Sequence, residues 1–466
     1  MPRRADPVLT AGAMRAAEKA LIAAGTSVDE LMRRAGQGAA DYVWRMTAGR
    51  PVTVLCGPGN NGGDGYVIAG AIRARGGDVA VVAAAPPATD AARNARTAYT
   101  GEVRDPGDDR HGDVLVDCLF GTGLTRPLEE GHLALLQRLA SAHALRVAID
   151  LPSGIDSDTG KELNDGLPRN DLTVALGAWK PAHFLMPAAA KMGALRLVGI
   201  GVEASDARAR RLSRPVLAAP GAGAHKYTRG LLGVVGGGMP GAALLAAQAA
   251  QHAGAGYIRM LSDQAAGAPA DLVVDPAPLS DALSDKRLSA VLVGPGLGRQ
   301  AAAVERLALS LAIARPAVVD ADALMLLTPR LVAERTAPLI VTPHEGEAKA
   351  LEQAFGLIGT GSKPERALEL ATVLRAVVIA KGPDTVIAAP DGRLAFAPPA
   401  TPWLSTAGTG DVLSGIVASR LAVGTEPFEA ACQGVWLHGE AARLAGKAFA
   451  AGQLAECVQA AYAACL

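Results

Sequence analysis

The sequence predicts an α/β protein built as two three-layer domains, and three observations carry that expectation. Short apolar, β-branched runs alternate with helical segments from end to end, the rhythm of parallel sheets covered by helices. Polar, glycine-rich segments fall at the carboxyl ends of those runs, where open α/β sheets form their crevices. The chain has 466 residues, more than the ~100–200 of one domain.

Composition supports large cores: 50% of residues are apolar and 19% charged, too few charges for a disordered chain. Aromatics make up only 3%, so those cores must be packed from Ala, Val and Leu. Lys plus Arg and Asp plus Glu both number 45, giving no net field toward a nucleic acid, and no basic stripe is interleaved with aromatics. Five cysteines (Cys56, Cys118, Cys432, Cys457, Cys465) lack metal-ligand spacing and read as free thiols of a reducing compartment. The start, MPRRADPVLTAGAM, lacks the apolar core of a signal peptide, and no run is suited to span a membrane. A cytoplasmic protein without nucleic-acid or membrane partners is expected, with a homo-oligomer left open.

In chain order, AGAMRAAEKALIAAG repeats apolar residues at helical spacing. SVDELMRRAGQGAADYVWRM reads as a second helix, with Ser27 as N-cap and Glu30 at the capping-box position. VTVLC then runs into GPGNNGGDGY, Gly57 to Tyr66, a glycine-rich turn dense in special residues. Its Asn60 and Asn61 bring amides able to hold a sugar, a phosphate or a cation, and Asp64 brings a charge. Val79–Ala85 is a strand; Asp113–Pro127 is a strand opening into a Gly/Thr turn; Leu145–Gly160 is a strand ending in Asp150 and the turn PSG; Leu172–His183 is a strand followed by Lys180; and Ala194–Val202 closes the set. At or near the strand ends lie Asn60, Asn61, Asp64, Asp117, Gly121, Thr122, Asp150, Ser153 and Lys180. Asp117, Asn61 and Ser153 together form an all-oxygen set suited to a hard monovalent or divalent cation. Asp150 is the candidate proton-transfer group; its bland alternative is a helix cap.

Residues 203–224 break the rhythm and read as a linker, with the boundary between 214 and 215. A strand at Leu231–Val235 precedes an Ala-rich helix whose small side chains permit close packing, and Ala242 is placed nearest a ligand. GPGLGR, DADAL and TPHEGE follow three further strands and supply Gly298, Asp320, Asp322 and His344. His225, in HKYTRG, is a weaker ligand candidate.

The second half is organised around STAGTGDVLSG, Ser405 to Gly415, with KGPDTVI just upstream. The first is a glycine turn running into a helix. N–H groups at Gly408, Thr409 and Gly410 can converge on an anion. A carboxylate beside a polyphosphate makes sense where it takes the proton of a hydroxyl attacking the terminal phosphoryl group, which is the role read for Asp411. The competing reading is an Asp that caps the helix. KGPDT reads as a strand end, a polar turn and a second strand.

These motifs resemble a known pair of domains. VLTAGAM, GPGNNGGDG, VDCLFGTGL, DLPSGID and GAWKPAH resemble the epimerase domain that repairs hydrated nicotinamide coenzymes, of Rossmann-like fold (1–214). HKYTRG, GPGLGR, DADAL, TPHEGE, KGPDTVI and AGTGDVLSG resemble the companion ribokinase-like dehydratase (215–466). In this order they look like the bifunctional NAD(P)H-hydrate repair family. The resemblance implies that Asn60, Asn61, Gly62, Gly63 and Asp64 hold the hydrate. Gly121, Thr122, Gly123, Leu124, Thr125, Arg126 and Pro127 would cover it. Asn61, Asp117 and Ser153 would bind potassium, and Asp150 would lie beside the reacting ring with Lys180 as helper. In the second domain it places Ala242, Gly298 and His344 on the S epimer. Lys381, Gly382, Pro383, Asp384, Thr385 and Gly410 would hold the nucleotide, with Asp411 as base. The donor would be ADP, as is usual in bacterial members, or ATP, with magnesium on the phosphates. The rival readings are a ribokinase-like small-metabolite kinase with an accessory domain, and a chain in which one domain is only a scaffold or nucleotide sensor.

Overall fold

The computed structural model describes residues 6–108, 111–204, 207–264 and 267–466. Residues 1–5, at the start of the segment judged against signal peptides, and 205–206 of the expected linker lie outside the described residues. The chain divides into two compact units, one ending at Arg211 and the other beginning at Leu212.

The first unit holds strands β1 (Val52–Cys56), β2 (Val79–Ala83), β3 (Glu102–Arg104), β4 (Gly112–Cys118), β5 (His143–Ile149), β6 (Leu172–Leu176) and β7 (Ala194–Val198). They form one parallel sheet in the order β3-β2-β1-β4-β5-β6-β7. Alternate residues of a strand point to opposite faces, and both faces are apolar here. Val52, Val54 and Cys56 pack with helices Val28–Thr47 and Asn60–Ala74, while Leu55 and Leu115 pack with helix Glu130–Ala142. The result is three layers. A short strand β8 (Ala209–Arg211) ends the unit, its Arg210 bridging to Pro7.

Two local expectations need correction. Ser27 does cap its helix, its hydroxyl accepting from the Glu30 N–H at 3.1 Å. Glu30, however, does not return to the N-cap: its carboxylate binds Arg33 and Arg34, each at 2.7 Å. Two guanidinium groups at i+3 and i+4 offer charge-assisted bonds that an amide cannot match. The glycine-rich turn is also shorter than read. Only Gly57–Gly59 is turn, and the helix begins at Asn60. Gly62 and Gly63 therefore lie within the first helical turns and serve packing. A Cβ on Gly62 would sit 1.9 Å from the Gly57 carbonyl oxygen, and one on Gly63 2.5 Å from the Met32 methyl.

The second unit holds β9 (Leu231–Val235), β10 (Tyr257–Leu261), β11 (Val273–Asp275), β12 (Leu288–Val293), β13 (Ala317–Val319), β14 (Leu339–Val341), β15 (Val377–Ala380), β16 (Val386–Ala388) and β17 (Leu394–Phe396). Their order is β11-β10-β9-β12-β13-β14-β15-β16-β17, parallel through β15 and antiparallel beyond. Leu232 and Val234 face helices Pro240–Gln251, Thr409–Ala422 and Pro427–Ala445; Leu231 and Val235 face Ala301–Ala312, Glu345–Ala354 and Lys363–Leu374. The Ala-rich helix approaches its neighbour closely, since a Cβ on Gly415 would lie 2.1 Å from the Ala246 carbonyl oxygen. Among the described residues no helix is long and apolar enough to cross a membrane.

The contact at Gly62 gives a stability test. G62A forces a methyl group into a backbone carbonyl and should cost ~1–3 kcal/mol of overpacking in the first unit. Urea unfolding followed by a probe in that unit reads it; an unchanged midpoint would mean the helix start is not packed as described.

Candidate active sites

In the first unit the strand ends, the start of helix Asn60–Ala74 and helix Ala11–Ala23 enclose a cavity of about 540 Å³. Asn60, Asn61, Asp64, Gly121, Thr122, Gly123, Leu124, Asp150 and Lys180 line it. Thr125, Arg126 and Pro127 do not; they are exposed beyond it. Gly62 and Gly63 are likewise not among its lining residues.

Asp150 follows β5 in the left-handed region at φ 65°, which carboxylate residues tolerate better than most and which costs energy even so. It caps no helix. Its carboxylate accepts from the Thr122 N–H at 3.0 Å, from the Thr122 hydroxyl, from the Leu176 N–H at 3.3 Å and from the Lys180 ammonium. Burial alone would raise its pKa, but the Lys180 charge and these donors hold it below the ordinary carboxylate range. Lys180 is only 1% exposed and also donates to the Leu176 carbonyl at 2.7 Å. Pro181 opens the short 3-10 turn Pro181–His183 and so helps to place His183. That imidazole accepts from the Lys180 N–H at 2.9 Å through Nδ1 and donates from Nε2 to the Asp150 carbonyl at 2.8 Å. Burial and the Lys180 charge lower its pKa to about 4, so it is neutral and its tautomer is fixed.

Beside this pair the cation ligands read from the sequence are arranged unevenly. Asp117 is buried; its carboxylate accepts from Leu119 N–H at 3.0 Å, Ser153 N–H at 2.9 Å and the Ser153 hydroxyl at 2.7 Å. Burial raises its pKa against those bonds. Both amide atoms of Asn61 are buried and lack a hydrogen-bond partner among the described residues, the mark of a group that awaits a ligand. Gly121 separates Asn61 from Asp150: a Cβ there would lie 3.0 Å from the Asp150 carboxylate and 3.3 Å from the Asn61 amide carbon. Burial pushes Asp64 well above the carboxylate range.

In the second unit the site lies at the carboxyl ends of β12 to β15 and at the start of helix Thr409–Ala422. The N-cap is Gly408 at φ 91°, with no side-chain cap. Asp411 is therefore not the cap. The first N–H to close on the helix is that of Val412, onto Gly408 at 3.1 Å, which leaves those of Gly410 and Asp411 ahead of it. A Cβ on Gly410 would sit 3.4 Å from the Lys381 ammonium, so backbone donors and a cation converge. Lys381 is held by Asp320 at 2.8 Å and lies 3.7 Å from Glu347. Burial opposes its charge, but those two carboxylates win and raise its pKa. Asp411 meets the reverse balance. Burial first, then Asp320, raise its pKa to about 7, with Lys381 only partly offsetting.

The remaining expected ligands divide. Gly298 sits at φ 80° and donates its N–H to Asp322 at 3.0 Å, and Ala242 lies in the first turn of its helix. His344 caps helix Glu345–Ala354, accepting from Gly346 and Glu347 N–H at 3.0 and 3.2 Å, while its ring stays exposed. The KGPDT turn joins antiparallel β15 and β16. Gly382 N–H donates to the Thr385 hydroxyl at 3.2 Å, Pro383 is exposed, and Asp384 pairs with Lys363. His225 serves its own turn, accepting from Thr228 N–H at 3.3 Å, and precedes β9, whereas Asp411 stands at strand carboxyl ends.

Sequence reasoning missed Glu18, Arg15 and His183 in the first unit and Glu347 and His438 in the second. Positions 11, 14, 15, 18 and 22 share a helical stripe on the cavity. The polar members of that stripe were the available signal. His438 contacts the Thr409 carbonyl at 2.9 Å and steadies the glycine turn from a distant helix, which no local pattern reveals.

The Lys180–Asp150 pair gives a second test. K180M leaves a buried carboxylate unpaired and should destabilise the first unit by ~3–5 kcal/mol in denaturant unfolding, with K180M/D150L recovering part of the loss. Wild-type stability in K180M would contradict the pairing.

Comparison with known proteins covers both units. The family profile described as "YjeF-related protein N-terminus" matches residues 28–182, and that described as "NAD(P)H-hydrate dehydratase" matches 232–462. The chain is 36% identical to the bifunctional NAD(P)H-hydrate repair enzyme Nnr of Gloeobacter violaceus, over 91% of this chain and 90% of that one. It is also 36% identical to the Nnr of Mycobacterium tuberculosis, over 90% and 89%. A solved ADP/ATP-dependent NAD(P)H-hydrate dehydratase from Bacillus subtilis, co-crystallized with ATP/Mg2+, is 27% identical with a TM-score of 0.46, covering 54% of this chain and 95% of that one. With both profiles matched and relatives aligned along nearly all of it, the chain belongs to the bifunctional NAD(P)H-hydrate repair enzyme family.

Proposed function

We propose that the second unit dehydrates the S epimer of hydrated NADH or NADPH with ADP or ATP as phosphoryl donor, and that the first unit interconverts the R and S epimers. The observation that supports this most is the place of Asp411 at a helix start with unpaired N–H groups and the Lys381 ammonium beside it, where burial and Asp320 raise its pKa to about 7.

The chemistry follows from those groups. A ring hydroxyl is a poor leaving group. Asp411 accepts its proton as the oxygen attacks the terminal phosphoryl group; a new P–O bond forms and the bond to the donor breaks. The Gly410 N–H and Lys381 steady the charge on the phosphoryl oxygens. The ring nitrogen lone pair then expels phosphate, and loss of a ring proton restores the reduced coenzyme. Ala242, Gly298 and the exposed ring of His344 are assigned to the hydrate, and the 381–385 turn to the nucleotide. Among the described residues no three His, Cys, Asp or Glu side chains converge to hold a metal ion. Magnesium would accompany the phosphates held by Lys381 and Gly410 and would supply charge neutralisation there.

In the first unit, Asn60, Asn61 and Asp64 hold the hydrate, the 121–124 turn covers it, and Asp150 lies beside the reacting ring as proton-transfer group. Potassium fits the donors present: the unpaired Asn61 amide oxygen, the Asp117 carboxylate and one remaining lone pair of Ser153. It would supply a fixed positive charge next to a carboxylate that burial disfavours.

The test is to assay each variant on each purified epimer. D411A should lose dehydration by ~10²–10⁴-fold or more while epimerisation persists, and D150A should do the reverse. Equal loss of both activities in either variant would contradict the division of labour. The base must be ionised to act, so wild-type dehydration should rise with pH through about 7. A rate that falls over that range would exclude Asp411 as base.

A further inference from the structure

Helix Ala11–Ala23 closes one wall of the first cavity with Ala11, Met14, Arg15, Glu18 and Ile22. A wall that only excluded water would be apolar throughout. Arg15 and Glu18 break that pattern, and Glu18 is the acidic one: its carboxyl makes no hydrogen bond or ion pair among the described residues and sits on the cavity with Asp150 and Lys180. The helix is fixed in place. Leu9 N–H donates to the Trp179 carbonyl at 2.8 Å, one residue before Lys180, and Ala11 N–H to Asp158 at 2.7 Å.

We propose that Glu18 is a catalytic residue of the epimerisation, the carboxylic acid that protonates the hydrate's hydroxyl as its carbon–oxygen bond breaks. This rests on the reading of the first cavity as the epimerase site. The step balances without an oxidant or reductant. The Glu18 proton passes to the hydroxyl oxygen, which leaves as water with the carbon–oxygen electron pair. The ring nitrogen lone pair forms a C=N bond and the ring becomes cationic. Solvent water adds to the opposite face through an oxygen lone pair, the C=N pair returns to nitrogen, and the surplus proton goes to Asp150. Proton exchange with solvent restores Glu18.

The environments suit these roles. The charged groups around Glu18 are Arg15 on its own helix and Asp64, Asp150 and Lys180 across the cavity. Burial raises the Glu18 pKa, with Asp150 adding to it and Lys180 and Arg15 opposing. Asp150 is held ionised by its ion pair. Two carboxyl groups driven apart in this way divide into acid and base.

The experiment starts from the purified R epimer and follows the S epimer chromatographically with the full-length chain, subtracting spontaneous exchange. E18Q keeps the shape and removes the proton. Its kcat should fall by ~10²–10⁴-fold with KM for the hydrate held within a few-fold. In the wild type, activity should decline as pH rises through the Glu18 pKa, because the acid form is needed; E18Q should lack that limb, and E18D should recover part of the rate. Wild-type kcat in E18Q, an unchanged alkaline limb, or a loss confined to KM would overturn the proposal. If the wild type itself fails to epimerise, or D150A keeps full activity, the reading of the cavity fails instead.

Discussion

Each centre is built around an ammonium drawn out of bulk water, fully for Lys180 and largely for Lys381, that must be neutralised. Unpaired, a cation in such surroundings would cost several kcal/mol or give up its proton. Lys180 is satisfied by Asp150 and the Leu176 carbonyl, Lys381 by Asp320 with Glu347 close by. Asp150 takes φ 65°, and Ala321, next to Asp320, takes φ 48°, a strained value for a residue with a Cβ. Pairing also decides which carboxyls are charged. Asp150 has a lysine of its own and stays ionised. Lys381 is committed to Asp320, so Asp411 faces Asp320, Asp322 and Glu347 with only part of a cation to offset them. A base poised near neutrality is the consequence.

The backbone around these pairs is held close by glycine. Gly121 keeps Asn61 and Asp150 within reach of one another, and Gly410 leaves room for the Lys381 ammonium at the helix start. Side chains from distant segments then lock the polar groups: His183 fixes the Asp150 carbonyl, and His438 the Thr409 carbonyl. Both imidazoles are driven neutral by burial, to about 4, so they act as fixed donors rather than as charges.

The sheets were legible because continuous apolar, β-branched runs and glycine-rich ends are local features. Leu231–Val235 coincides with β9, and β6 opens the segment read as a strand from Leu172. The short edge strand β3 has no apolar run and left no signal. Asp150, Asn61 and Asp411 were readable as strand-end or helix-start polar groups. What stayed hidden was tertiary. Glu18 reaches the cavity from a helix some 130 residues before Asp150 in the chain, a separation that only packing closes. The capping box at Glu30 failed because a sequence pattern cannot rank two arginines against a backbone amide. Gly62 and Gly63 were read as part of a turn, yet the helix begins earlier and places them against Gly57 and Met32.

The account stands on a phosphoryl group docked against the start of helix Thr409–Ala422 with Asp411 turned toward a substrate hydroxyl. A crystal structure of the D411N chain with ADP and the S hydrate tests this most directly. The terminal phosphate should bond the Gly410 N–H and Lys381, and the ring hydroxyl should lie about 2.6–3.2 Å from residue 411. A nucleotide bound elsewhere, or residue 411 turned away from the ring, would contradict it.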